Sequence, residues 1–490
     1  MMTKKGKLEI KTPVIRKVLH WFEEISKIPR QSRHEEKICK WLLDWAKEHN
    51  LAAGADNTGN IVIQVPAAKG YENAPIVVLQ AHVDMVCEKT PDSTHNFLTD
   101  PIELIYKNNI LRADNTTLGA DNGIGMALGL ALALDENIGH PQLELLMTTG
   151  EEIGLIGAMH LDATLIKGRT LINLDTPDED TFVIGSCGGR SVNISIPLKF
   201  EEPGGNQETY TIKTKGIKGG HSGMDIHLQR ANAVKELFRI LDFCSDSVDL
   251  RIADLKGGSA SNAIPRDAEA TIFIHREKAD LLQKKIKKIE TLIQNDFLNT
   301  DPELALSLEK NREISLSKVA SKESTQQIIN MILSLPDGVE RVSAEIQSSI
   351  ETSSNLATIA LENNKLLVVT SLRSSSLSRL TALQKQITSI VELIGGQYEL
   401  SEEYPGWEAD LNSSLLKTGK NVYKKLFAKD PILNVIHGGL ECGVIADKFP
   451  GMDMISLGPR FRNEHTPDEF IYIDTIEHTY KLLTGILAEI

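Results

Sequence analysis

Two kinds of hydrophobic pattern occur in this chain, and the switch between them at Gly188-Gly189 limits what it can fold into. Upstream, apolar residues come in short unbroken runs: residues 74–81 (APIVVLQA), 143–147 and 170–174. Such runs are the mark of strands buried on both faces. Between them lie helical stretches, residues 14–49 with Trp21, Phe22, Ile25, Trp41 and Leu42 as core contacts, and a glycine-rich buried helix over 123–134. Strands alternating with helices predict an α/β layer architecture. Downstream, residues 191–198 and 208–215 alternate with period two, and 230–241 and 278–293 read as amphipathic helices. That is an α+β pattern, with strands covered on one side. After Tyr404-Pro405-Gly406-Trp407 the first style returns, with a helix over 411–427, a strand over 454–457 and a terminal helix. The expected organisation is an α/β domain over 1–188 and 401–490, interrupted by an inserted α+β domain over 189–400.

The insertion repeats itself. Ser259-Ala260-Ser261-Asn262-Ala263 precedes a strand and a long helix, and so does Ser353-Ser354-Asn355-Leu356-Ala357. Matching element order after each predicts two fused copies of one α+β unit, ferredoxin-like in class.

Composition narrows the function. The 490 residues carry 53 Lys and Arg against 67 Asp and Glu, a net charge of −14. A surface of that sign repels phosphate, so neither nucleic acid nor an anionic membrane is an expected partner. Lys284-Lys285-Lys287-Lys288 reads as the solvated face of a helix. The five cysteines form no C-x-x-C pair, which suits a reducing compartment. The first fourteen residues carry lysines without an apolar h-region, and no apolar run approaches the ~20 residues of a membrane span. A cytoplasmic protein is expected.

The chemistry is at the ends of the apolar runs. His82-Val83-Asp84 closes one, and at i and i+2 of an extended segment both side chains point the same way. Asp84 can then hold the ring nitrogen that His82 does not use. Asp121 sits between glycines at a helix start, Glu151-Glu152 follow another run, and Asp175 and His465 follow two more. Each alone has an ordinary explanation: a capping Asp, a solvated turn, a loop residue. Together, two imidazoles and three carboxylates at strand ends of an open α/β sheet, where ligands bind, suit a pair of zinc or manganese ions. Such a pair, ~3.5–4 Å apart, activates water and polarises a carbonyl. The chain has no G-x-S-x-G elbow, H-E-x-x-H or P-loop.

The ordered motifs HVD, GADNG, GEE, NLD and NEHT resemble those of the M20 family of two-metal peptidases, and HGGLECG at 437–443 with the doubled insertion resembles its aminoacyl-histidine dipeptidase branch. The resemblance runs nearly end to end. It implies a mixed-sheet catalytic domain with an inserted lid domain, and a site of two divalent metal ions, zinc first, with manganese and cobalt as alternatives. Asp121 would bridge both metals, His82 and Asp175 would complete one site, and Glu152 and His465 the other. Asp84 would support His82. Glu151 would be the general base that takes a proton from the water shared by the metals and passes it to the leaving amine. The Asp121–Asn122 peptide would be cis. His221, in Gly219-Gly220-His221-Ser222-Gly223, would reach the oxyanion. Asn262 and Arg373 would hold substrate, Arg373 on its C-terminal carboxylate, and Glu441 its free amine. The implied activity is hydrolysis of unblocked dipeptides, Xaa-His first with wider tolerance, by a monomer or homodimer. The alternatives are an M20-type hydrolase of N-acyl amino acids, an aminopeptidase on longer peptides, or a metal-binding protein without turnover.

Overall fold

The unbroken apolar runs become the centre of an eight-stranded mixed sheet. Its order is Ala52–Ala55, Ile61–Val65, Leu143–Thr148, Val77–His82, Thr170–Asn173, Asp453–Ser456, Thr181–Ser186 and Ile432–Ile436. The four strands from Leu143–Thr148 to Asp453–Ser456 are parallel to one another. Every residue of Val77–His82 and Leu143–Thr148 is buried, which is why neither run alternates. Register sets His82 beside Thr148 and Gln80 beside Asn173, so the segments that follow leave the sheet at one edge. The computed structural model describes residues 12–311, 318–346, 349–401 and 403–490. Most of the lysine-bearing start read from the sequence, residues 1–11, lies outside the described residues.

The helical stretch at 14–49 is two helices, Pro13–Ser26 and Glu36–Glu48. Thr12 caps the first through a bond from Ile15 N (3.3 Å), with Pro13 opening it. It packs on Ala120–Ala133, a helix buried on almost all sides. A second, four-stranded antiparallel sheet orders Phe461–Arg462, Phe470–Tyr472, Ile110–Ala113 and Leu104–Lys107.

The chain divides into two compact units. One comprises Met1–Ser186, Trp407–Val435 and Leu440–Ile490, and the other Cys187–Gly406 with Ile436–Gly439. The division falls beside the boundaries expected at 188/189 and 400/401, for a reason visible in the pairing. Gly188 and Gly189 already pair with Ser374 and Arg373, and Gly189 also bridges Tyr404, so the turn-like sequence Gly-Gly is strand. Ile436–Gly439 joins the second unit through His437, whose ring lies between Cys187 Sγ (3.0 Å) and Ser353 Oγ (2.6 Å).

The second unit is built on a nine-stranded antiparallel sheet ordered Ala305–Asn311, Gln207–Lys215, Ala268–His275, Arg251–Gly257, Ile350–Glu362, Lys365–Ser374, Gly188–Pro197 and Gln397–Leu400, with Gly338–Val342 paired beside Ile350–Glu362. Burial alternates along Gly188–Pro197, and helices Ala233–Ser245, Ala279–Asp296, Lys322–Ser334 and Leu377–Leu393 contribute to the apolar core. Both halves have the ferredoxin-like order of strands 4-1-3-2. They are nested, not tandem: the first strand and first helix of the outer copy, Gly188–Pro197 and Lys322–Ser334, flank the whole inner copy. The two serine motifs are not equivalent within them. Residues 259–262 form the connection after Arg251–Gly257, whereas Ser353–Ala357 lies inside Ile350–Glu362.

Candidate metal centre

In the first unit, residues from five separate segments converge. Asp121 is the hub: Oδ1 lies 2.8 Å from His82 Nε2 and Oδ2 3.4 Å from His465 Nε2. His82 Nε2 is also 3.7 Å from Asp175 Oδ1, and His465 Nε2 3.0 Å from Glu152 Oε2. Donor atoms of His82, Asp121 and Glu152 lie within 4.8 Å of one another, a spacing that one ion could span. Asp84, wholly buried, faces His82 Nδ1 at 3.4 Å. It also accepts from Ser32 Oγ (2.7 Å) and from the backbone of Glu151 (3.1 Å) and Glu152 (3.3 Å). One carboxylate thus fixes the imidazole on its own strand end and the two glutamates on the next.

The Asp121–Asn122 peptide is cis. Asn122 Nδ2 donates to Asp175 Oδ1 (2.7 Å), tying two of the carboxylate-bearing loops. Gly119, at φ 68°, has a geometric need for glycine. A Cβ there would collide with Arg30 Nη2 and meet Met85 Sδ at 2.8 Å. The His465 backbone is also left-handed, at φ 62°, a costly conformation for a residue with a Cβ.

The charges are arranged in excess of carboxylate. Burial opposes the imidazolium of His82, but Asp175, Asp121 and Asp84 outweigh it and hold its pKa well above the ordinary value. Hydrogen bonds to Asp121 and Glu152 push His465 up to about 11. Burial works against the Asp121 carboxylate, yet the two imidazoles hold its pKa far below normal. Burial and then neighbouring charge keep Asp175 protonated well above the usual range, and Glu151 likewise.

Glu441 is sealed beneath this cluster. It is wholly buried, accepts from Thr148 Oγ1 (2.7 Å) and from Gln80 Nε2, and burial raises it to about 7. Among the described residues its Oε1 has no partner. A substrate amine, the contact expected from sequence, can reach that oxygen only if these side chains move aside.

The second unit gathers a different set. His221 Nδ1 accepts from Gly223 N (3.3 Å) and Met224 N (3.1 Å), which leaves Nε2 to carry the proton. Burial, then the charge of Arg373, lowers the pKa of His221. The Asn262 carbonyl accepts from Ser222 N (2.8 Å), and its side chain is exposed. Arg373, only 7% exposed, bonds Tyr404 Oη (2.7 Å) and Ser222 Oγ (3.4 Å), and among the described residues its Nε has no partner. Among the described residues no carboxylate pairs with it. His221, Asn262 and Arg373 therefore meet around Ser222. Sequence reasoning missed Arg30, Ser32 and Tyr404. Only Tyr404 carried a signal, as the aromatic before Pro405 at the style change.

Residues 212–301 match the family described as the Peptidase dimerisation domain. Over 469 residues, 96% of each chain, the sequence is 38% identical to the cytosol non-specific dipeptidase of Escherichia coli (strain K12). The crystal structure of aminoacylhistidine dipeptidase from Vibrio alginolyticus superposes with a TM-score of 0.90 at 35% identity, covering 99% of this chain and 98% of that one. The chain belongs to the M20 peptidases, in their aminoacyl-histidine dipeptidase branch. The wider M20-type fold extends to the aminopeptidase PepT from Bacillus cereus ATCC 10987, with a TM-score of 0.56 at 17% identity over 97% of this chain and 98% of that one. The match at 212–301 lies in the inner ferredoxin-like copy, from within its first strand to just beyond its second helix.

Proposed function

We propose that this M20 dipeptidase cleaves unblocked dipeptides at a two-cation centre, with Glu151 as the proton carrier. The observation that carries the reading is Asp121, whose two oxygens face two different imidazoles. The residues fit a cation pair. Asp84, Asp121, Glu151, Glu152 and Asp175 bring five carboxylates to two imidazoles, and the protons retained there are what two dications would replace. His82, Asp121 and Asp175 would hold one ion and Asp121, Glu152 and His465 the other. Oxygen and imidazole donors without thiolate suit zinc, manganese or cobalt, zinc first. Bound there, the cations supply Lewis acidity toward the peptide carbonyl and toward water.

The chain's own residues do the rest. Asp84 holds His82 by Nδ1 and so presents Nε2. Glu151 accepts a proton from the attacking water and delivers it to the leaving nitrogen. His221, with Nδ1 occupied by backbone donors, offers Nε2–H to the oxyanion. Arg373, a buried cation lacking a counter-charge, receives the substrate carboxylate, and Asn262 lies beside it across Ser222. Dipeptides ending in histidine are the first substrates to try, with wider tolerance, as the names of the two similar dipeptidases suggest. The match at 212–301 supports a homodimer, and the five unpaired cysteines support a cytoplasmic location. Among the described residues no helix is long and apolar enough to cross a membrane.

A panel of free and N-acyl dipeptides, assayed before and after chelation, tests the activity. Free dipeptides should be cleaved, and only with metal. Preference for N-acyl substrates would transfer the chain to the deacylase reading. Glu151→Gln should keep both metals and lose turnover by about 10²- to 10⁴-fold.

A further inference from the structure

One buried carboxylate takes no part in the chemistry above. Glu469 is 1% exposed and lies four residues beyond His465. Its Oε2 accepts from the backbone N–H groups of Leu118 (2.8 Å) and Gly119 (2.9 Å), and its Oε1 from those of Ala120 (2.8 Å) and Asp121 (3.3 Å). Four consecutive donors converge on one side chain, a backbone nest closed by an anion. The segment they belong to ends in the shared carboxylate Asp121.

The other end of the link is equally fixed. The turn carrying His465 is closed on itself: Thr466 Oγ1 donates to Asn463 O (2.8 Å), and the backbone N–H of Glu469 donates to Thr466 O (3.1 Å). The strand after it, Phe470–Tyr472, pairs with Ile110–Ala113, which leads into the Asp121 loop. Gly119 is gripped from both sides, by Glu469 on its N–H and by the buried Arg30 guanidinium on its carbonyl. Arg30 also donates to the carbonyls of Val83 (3.0 Å) and Asp84 (2.8 Å). Two side chains of opposite charge thus join the His82, Asp121 and His465 loops through backbone, leaving the proposed donor atoms free.

We propose that Glu469 is a positioning residue for the cation pair: through the backbone of 118–121 it fixes the separation of Asp121 and His465 before any ion binds. This rests on the reading that Asp121 and His465 are cation donors. A simple fold-stabilising role would lower the melting temperature without changing affinity for metal, and that difference makes the idea testable.

The experiment uses the full chain stripped of metal, with zinc as probe, in competition against a chromogenic chelator, and with folding followed by circular dichroism. The wild-type chain should bind two equivalents, and failure there would sink the two-cation reading and this proposal with it, whereas two equivalents in the wild type leave the variants to test Glu469 alone. Glu469→Gln keeps the size but sets an NH₂ against two N–H donors. It should weaken zinc binding at one or both sites by about 10- to 100-fold, while KM at saturating zinc stays within about threefold. Glu469→Asp, one methylene short of the four donors, should fall between. Wild-type zinc affinity in either folded variant would overturn the proposal, whatever its melting temperature. Loss of the fold in both variants would overturn it as well, because Glu469 would then belong to the fold.

Discussion

The two units concentrate polar side chains in opposite ways. In the unit containing the eight-stranded sheet, carboxylates outnumber imidazoles at the candidate site, and those acids raise the pKa of both imidazoles. In the inserted unit, Arg373 is buried with neutral partners only, and His437 beside it is kept neutral, its pKa lowered to about 3 by burial and then by Arg373. A buried charge left without a partner is costly, so each cluster is incomplete as it stands. Under the proposed function, cations would answer the carboxylates of the first and an anion the guanidinium of the second.

Removing the hub of the first cluster should break the contrast most severely. Asp121→Ala takes away the one carboxylate that both imidazoles share, so metal content should fall below two per chain and dipeptide turnover to background. Retention of both metals by this variant, read by elemental analysis, would remove Asp121 from the bridging role. On the other side, Arg373→Ala should raise KM for free dipeptides by roughly 30-fold or more, the ~2 kcal/mol minimum for losing a buried charged contact. Dipeptide amides, which lack the carboxylate, should be almost indifferent. Equal losses for acid and amide would mean that the cation in the inserted unit is not there for an anion.

The smallest effect concerns pH. The folded pKa of His437, about 3, lies below its ordinary 6.5, so the neutral ring contributes stability that is present above pH 6.5 and is lost as pH falls toward 3. Denaturant unfolding of the wild type should therefore weaken across that window more than unfolding of His437→Gln, which has no proton to take up. Parallel slopes for the two proteins would show that the inserted unit tolerates a second cation beside Arg373.

The sequence carried much of this arrangement, unevenly. Burial on both faces leaves an unbroken apolar run, so the strands that lead to Glu151-Glu152 and Asp175 were readable to within one residue, whereas the one ending at His82 starts three residues later than expected. A helix start was missed by the same margin. The helix expected from 411 begins at Ser414, because Ser413 caps it through Leu416 N at 2.9 Å. Element order revealed two copies in the insertion, whereas the serine motifs that suggested them occupy different places, a connection in one and a strand in the other. Glu441, expected to meet a substrate amine, is wholly enclosed.

By itself the sequence determined which imidazoles and carboxylates follow the buried strands. Metal chemistry admits few side chains, and period-two and continuous hydrophobicity are local patterns. Tertiary structure alone decided the nesting of the two copies, the isolation of Arg373 and the grip of Glu469 on four amides. Backbone N–H groups are the same at every residue but proline, so an acid that spends itself on them, 348 to 351 positions away, leaves no mark in the chain.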